Sequence, residues 1–297
     1  MGQALAAAHA AAAAVFDEAD EILGFALSSL CFDGPAEALN QTINTQPALL
    51  VTSVAAWRAV TAVFGHAPPA RFVAGHSLGE YSALVAAEVL SFADALRLVR
   101  LRGQLMDAAD QTAPGGMAAI IALDAATADG VCTEARGQTG GVVQVANYNS
   151  PGQLVISGDE ASLTLALQIA KERGARKFMR LPISIAAHSP LMAPAAEEMG
   201  RAIMATTLRP PAIPVVSNIT AQPLTSVEGI RRELVGQLTA GVRWEDSVRM
   251  MAAEGVHLFI EIGAGNVLTG LVKRIVKDAA TLSVGDPAGI EQMRALM

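Results

Sequence analysis

Aromatic side chains are scarce in this sequence. Eight Phe, two Trp and two Tyr make up 4% of 297 residues, so a core has to be assembled from Ala, Val, Leu, Ile and Met. Cysteine is scarcer still. Cys31 and Cys132 are the only two, far apart and without CxxC or metal-type spacing, which leaves two buried or free thiols rather than a disulfide framework or a metal site. Charged residues reach only 16%, against about 25% in an average globular chain, and that excludes a coiled coil with its charged flanking positions. Basic residues are in deficit: 21 Lys+Arg face 28 Asp+Glu, for a net charge of −7. The chain therefore lacks the electrostatic footprint of a nucleic-acid binder or of a protein that coats an anionic membrane. No uninterrupted apolar run reaches the roughly 18 residues of a membrane span.

What the chain does have is apolar surface. Hydrophobic residues are 52% of the total, enough to offset the ordering entropy that keeps polar chains disordered, and the length suits about two packed units. The stretch Ala4 to Phe16 resembles a signal-peptide apolar core, but it has no basic n-region, contains His9 and runs into Asp17, Glu18, Asp20 and Glu21. It reads as an Ala-rich helix on the surface of the fold. A cytoplasmic location is the default expectation.

Strand-like and helix-like signals alternate. Ala48 to Val63 is apolar at helical spacing and ends in the loop Gly65-His66-Ala67-Pro68-Pro69. Arg71 to Ala74 is a short apolar strand running into Gly75, and Glu80 to Val89 is a helix. Near the other end, His257 to Ile262 is a strand that turns through Gly263-Ala264-Gly265 into the helix Val267 to Val276. Repeated strand–turn–helix units predict a parallel α/β sheet. In the middle, strands over Met117 to Leu123, Gly141 to Ala146, Gln153 to Ser157 and Arg176 to Leu181 enclose helices over Thr127 to Arg136 and Ser162 to Arg173. That order is the split βαβ arrangement. The expected architecture is α/β: a large parallel-sheet domain formed by residues 1–110 and 186–297, with a small domain, 111–185, inserted.

Chemistry concentrates at Gly75-His76-Ser77-Leu78-Gly79. A G-x-S-x-G between a strand and a helix places the serine on a sharp turn, with both glycines expected to relieve crowding, and aims the Leu78 N–H at a developing oxyanion beside a helix N-terminus. The serine needs a base. His76 adjoins Ser77 on a turn whose neighbours point apart, His9 lies in an Ala-rich helix, His66 in a Pro loop and His257 at a strand start. His188 sits in an irregular link between elements, where catalytic side chains are often carried. Arg102 lies on an apolar helical stripe with Leu98 and Leu105, so its guanidinium needs an anionic partner. Two partners are open: an internal Asp or Glu, or the free carboxylate of an acidic acyl group held two-pronged. Gly263-x-Gly265 lacks the third glycine of a dinucleotide loop, because position 268 is Leu.

The sequence resembles the malonyl-CoA:acyl carrier protein transacylases. The resemblance is carried by Thr45-Gln46-Pro47-Ala48-Leu49, Gly75 to Leu84, Arg102-Gly103-Gln104-Leu105-Met106, Asn147 to Gln153, His188-Ser189-Pro190-Leu191-Met192 and Glu261 to Leu268, in family order along nearly the whole chain. It implies a hydrolase-like large domain with a ferredoxin-like insertion, Ser77 as nucleophile and His188 as base. The histidine would be oriented by a backbone carbonyl at the position of Gln237. Arg102 would hold the malonyl carboxylate and Gln46 would support that pocket. The implied reaction is malonyl transfer from malonyl-CoA to the phosphopantetheine thiol of acyl carrier protein in fatty acid biosynthesis, without metal or redox cofactor, by a monomer. The family's opening strand and Gly-Gln-Gly-Ser-Gln loop, which carries a second oxyanion donor, has no counterpart at Met1-Gly2-Gln3-Ala4-Leu5. The expectation is therefore a true start upstream of Met1, or a sheet one strand short with a rate cost on the order of 10²–10³. The alternatives are an acyltransferase serving polyketide synthesis, an esterase-like hydrolase with no use for a buried Arg102, and a catalytically silent chain. An acidic carrier protein would need a local basic patch: Lys171, Arg173, Arg176, Lys177 and Arg180, or Lys273, Arg274 and Lys277 on the last helix.

Overall fold

The computed structural model describes residues 1–297. Its most regular part is a four-stranded antiparallel sheet made of β1 (Gly115–Ile121), β2 (Val143–Ser150), β3 (Gln153–Asp159) and β4 (Lys177–Arg180), in the order β2-β3-β1-β4. Two helices, Ala125–Thr139 and Glu160–Glu172, cross between strands, each started by an aspartate (Asp124, Asp159) that accepts a backbone N–H of its first turn. Alternation along the strands sends Ala118, Ile120, Leu154 and Ile156 toward those helices, where Val131, Cys132, Leu163 and Ala166 complete a core of 16 buried residues. The opposite face does not look at water. Met117 and Val155 belong to the main core of 47 buried residues, so the small sheet is packed onto the rest of the protein. This is the ferredoxin-like order read from the sequence.

At the centre of the main core lie the helices Thr42–Phe64 and Phe92–Thr112. The first is apolar enough to raise the question of a membrane, though Gln46 and Arg58 keep it from being an uninterrupted apolar run. Over 18 residues its mean hydropathy is 1.5, enough by length and composition to cross one. Here it is a core helix, with Leu50, Val51, Val54, Ala55, Ala59 and Val60 buried against its neighbours. The Ala-rich beginning is also not a surface helix. It forms two helices, Gln3–Ala8 and Ala10–Leu23, broken at His9, and buries Leu5, Ala12, Val15, Phe16 and Ala19. Small alanines let this pair lie close against Thr42–Phe64, which explains their abundance better than helix propensity does.

Where the sequence predicts one parallel sheet, two separate two-stranded sheets stand. β5 (Val215–Val216) and β6 (Pro223–Leu224) form a short antiparallel pair, while β7 (Leu258–Ile262) and β8 (Ala280–Val284) pair in parallel around the helix Val267–Ile275. The strand expected at Arg71 to Ala74 contracts to a single parallel bridge, Val73 to Val215. No backbone hydrogen bond joins residues 72–74 to β7. The two pieces nevertheless occupy one layer: Val73, Ile260 and Ile262 pack on the main core, while Phe72, Ala74 and Phe259 pack on a third core built around Trp244, Val248 and Leu271. Lys273 and Arg274 do not lie on the last helix, because Pro287–Leu296 follows. Cys31 and Cys132 are free and buried, and burial pushes their thiols up to about 11 and about 12, beyond the range of reactive thiolates.

Candidate active site

The chain leaves the Val73 bridge, turns at residues 75–78 and enters the helix Gly79–Ala86. Ser77 has φ 50°, in the left-handed region that side chains rarely adopt. The two glycines are not equivalent. A Cβ on Gly75 would lie 2.0 Å from the Gly79 carbonyl carbon and oxygen, whereas one on Gly79 would meet nothing within 4 Å. The crowding expected at both flanks exists at Gly75 alone. Asn218 straps the turn: its Oδ1 accepts the Ser77 N–H at 2.7 Å and its Nδ2 donates to the Gly75 carbonyl at 2.8 Å. The Leu78 N–H donates to no group of the protein and stands at the head of the helix that begins at Gly79.

His188, like Ser77, has a left-handed backbone, φ 57°. It lies just before the short 3-10 turn Pro190–Met192, and Gln144 of β2 holds its carbonyl oxygen at 2.6 Å and that of Thr239 at 2.9 Å. Its Nε2 is 2.8 Å from Ser77 Oγ. On the other side, Nδ1 faces the carbonyl oxygens of Gln237, at 2.9 Å, and Ala240, at 3.1 Å. Carbonyls only accept, so Nδ1 carries the hydrogen and Nε2 presents its lone pair to the serine. Burial and the nearby Arg102 charge lower His188 to about 3, so it is neutral and ready to take a proton.

Arg102 comes from the middle of Phe92–Thr112 and is 2% exposed. It makes no ion pair with an internal Asp or Glu, which removes one of the two readings left open by the sequence. Its partners are neutral oxygens: Gln46 Oε1 at 2.6 Å, Gln237 Oε1 at 3.1 Å and Ser77 Oγ at 3.0 Å. Its Nε is buried with no partner at all. Gln46 is buried on Thr42–Phe64, with its Nε2 3.3 Å from Met106 Sδ. Ser77, Leu78, His188, Gln237, Arg102 and Gln46 thus meet in one place, drawn from five separate stretches of chain.

Other expected residues lie elsewhere. His76 bonds Asn149 Oδ1 at 2.8 Å and packs on Trp244; His66 and His257 are exposed. In the first basic patch, Arg173 and Arg180 are engaged by Glu134 and Glu160 at 2.7 and 2.6 Å, leaving Lys171, Arg176 and Lys177 beside the exposed Phe178 and Met179. In the second, Arg274 bonds Gln153 and Lys273 and Lys277 are exposed. Surface clefts of about 470 and about 330 Å³ contain none of the six convergent residues. Sequence reasoning missed Asn218, the Ala240 carbonyl, Gln144 and the side-chain role of Gln237. The one available signal was polarity in apolar surroundings, as at Asn218 between Val216 and Ile219.

A family model described as "Acyl transferase domain" matches residues 1–292. The sequence is 46% identical over 291 residues to the malonyl CoA-acyl carrier protein transacylase of Bacillus subtilis, covering 98% of this chain and 90% of that protein. Among solved structures, an acyl carrier protein S-malonyltransferase from Vibrio cholerae superposes with a TM-score of 0.94 at 44% identity, over 99% of this chain and 94% of that one. A malonyl-transacylase solved in complex with its type II PKS acyl-carrier protein superposes with a TM-score of 0.95 at 41% identity, over 100% and 95%.

Three outcomes test this geometry. Gly75→Ala should abolish Ser77 reactivity and lower the melting temperature, while Gly79→Ala, with open space for its methyl group, should leave both close to wild type. A neutral active ester used as a Ser77 acylating reagent should react at a rate that stays flat well below pH 6.5, because His188 remains unprotonated there. In Arg102→Ala the acid limb of that profile should move upward, as one of the causes that depress His188, the second after burial, is gone; an unmoved limb would show that the guanidinium does not act on the imidazole.

Proposed function

Because the chain belongs to the acyl transferase family, we propose that it transfers a malonyl group from malonyl-CoA to the phosphopantetheine thiol of an acyl carrier protein, through a malonyl ester on Ser77, in fatty acid synthesis. The observation that carries this reading is Arg102: a buried guanidinium bonded to neutral oxygens only, with a free Nε, 3.0 Å from the serine oxygen. Such a group is short of an anion. A malonyl carboxylate supplies one, and places the thioester carbon within reach of the nucleophile.

The cycle has two halves. Ser77 Oγ attacks the thioester carbonyl as its proton passes to His188 Nε2, and the oxyanion forms against the Leu78 N–H and the head of the Gly79–Ala86 helix. The carbon–sulfur bond breaks, coenzyme A leaves with the proton from His188, and the malonyl ester remains. The carrier thiol then gives its proton to His188 and takes the acyl group by the reverse steps. The Gln237 and Ala240 carbonyls stabilise the imidazolium that forms in each half. No step calls for a metal or a redox group. The proposal places the reaction in the cytoplasm, where the two free thiols stay reduced.

Mixing the protein with malonyl-CoA should give a malonyl adduct on the Ser77 peptide in a mass spectrum, and Ser77→Ala should give none. Selectivity tests the donor. With acetyl-CoA the guanidinium is left without its anion, a loss worth roughly 2–5 kcal/mol, or about 30-fold to several-thousand-fold in preference. Arg102→Ala should lower malonyl transfer by that order and raise acetyl transfer; Arg102→Lys should not restore it, since an ammonium lacks the two-pronged geometry. Equal losses for both donors would make Arg102 structural and remove the case for a dicarboxylic acyl group.

A further inference from the structure

We infer that Glu80 is a positioning residue of this site: its carboxyl fixes which way the Gln237 amide points, and through that amide and Asn218 it holds Arg102 and braces Ser77. The functional readout rests on the malonyl-transfer reading; the geometry does not. Glu80 is fully buried on the Gly79–Ala86 helix among Tyr81, Ala83 and Leu84, and forms no ion pair. Its Oε1 accepts the Asn218 N–H at 3.1 Å and its Oε2 accepts Gln237 Nε2 at 2.5 Å. Two carboxyl oxygens that both accept leave the Gln237 amide one orientation. Its nitrogen faces Glu80 and the Ser77 carbonyl, at 3.1 Å, so its oxygen faces Arg102. The other arm reaches Asn218, whose side chain straps the elbow on both sides of Ser77.

This arrangement solves an electrostatic conflict. A carboxylate in direct contact with Arg102 would satisfy it and close it to an incoming anion. Placed one amide away, Glu80 orients a neutral oxygen onto the buried cation and leaves its other donors open. The charged and titratable groups around Glu80 are Glu233, Tyr81 and Arg102. Glu233 accepts from Ser217 Oγ at 2.5 Å and from the Ile219 N–H at 2.9 Å. Burial and the Glu233 carboxyl push Glu80 well above the usual carboxylate range.

The test compares Glu80→Gln and Gln237→Met, alone and together, with wild type. Glu80→Gln sets a second amide against Gln237, and two N–H groups cannot face each other, so Gln237 turns over and withdraws its oxygen from Arg102. The preference of Ser77 for malonyl-CoA over acetyl-CoA should fall by about 10- to 100-fold, the worth of a hydrogen bond to a charged group, with acetylation falling by less. Gln237→Met keeps the backbone carbonyl for His188 but cuts the link, and should show the same loss. The double variant should lose no more than either single one. In 15N-labelled protein the Gln237 side-chain amide, identified by its disappearance in Gln237→Met, should show one proton displaced strongly downfield, returning to the ordinary position in Glu80→Gln. Full malonyl preference in Gln237→Met, or equal losses for both donors in Glu80→Gln, would overturn the inference. If Glu80→Gln does not fold, Gln237→Met decides alone. Should wild type itself show no malonyl preference, the transfer reading fails, and an undisplaced Gln237 amide proton then overturns the inference by itself.

Discussion

A guanidinium removed from water and given no neighbouring carboxylate is the constraint around which the site is organised. Desolvating that charge costs several kcal/mol unless oxygens surround it, and the protein surrounds Arg102 with two carboxamides and a hydroxyl. The same charge acts twice. It awaits an anion, and together with burial, the larger cause, it keeps the His188 imidazole neutral, so affinity for an acidic acyl group and readiness of the base are linked. Neither property needs a third acid behind the histidine. Two backbone carbonyls orient the ring without adding a charge that would compete for Arg102.

The small sheet is part of this machinery. From β2, Gln144 ties the loops of His188 and Thr239 together, Asn149 takes the ring of His76, and Asn147 forms a parallel bridge to Val242. The packing that anchors β1 and β3 on the main core therefore fixes the base relative to the nucleophile. In the large body, continuous backbone pairing matters less than layering. Its two sheet pieces share no hydrogen bond with each other, and side chains hold them in one layer between two cores.

Legibility in the sequence followed how local each constraint is. Ser77 could be read because a tight turn imposes its own residues, and the four strands of the small sheet because short apolar runs alternate with capped helices. Arg102 could be read as inward-facing from helical spacing, but its partner could not, since Gln46 and Gln237 reach it from distant segments. The Ala-rich start misleads for the same reason: nothing within Ala4 to Phe16 tells that Thr42–Phe64 will cover it. Asn218 and Glu80 work through two contacts each to atoms remote in the chain, and such contacts leave no periodicity. The Arg71 to Ala74 strand fell short because a strand's length is set by its partners, and Val73 alone is paired, by bonds to Pro214 and Val216 on either side of Val215.

Ser77 and His188 are two of only five non-glycine residues with positive φ, and the reacting pair is made of both. Each such backbone costs about 1–3 kcal/mol, a noticeable share of the margin by which a domain stays folded. The fold therefore carries its reactive pair as stored strain, released by any residue that finds the left-handed region comfortable. A glycine at position 77 would give an inert protein that melts later than the active one. Selection for thermal endurance alone would favour that change at the elbow before any in the core, so a serine here answers a demand other than stability.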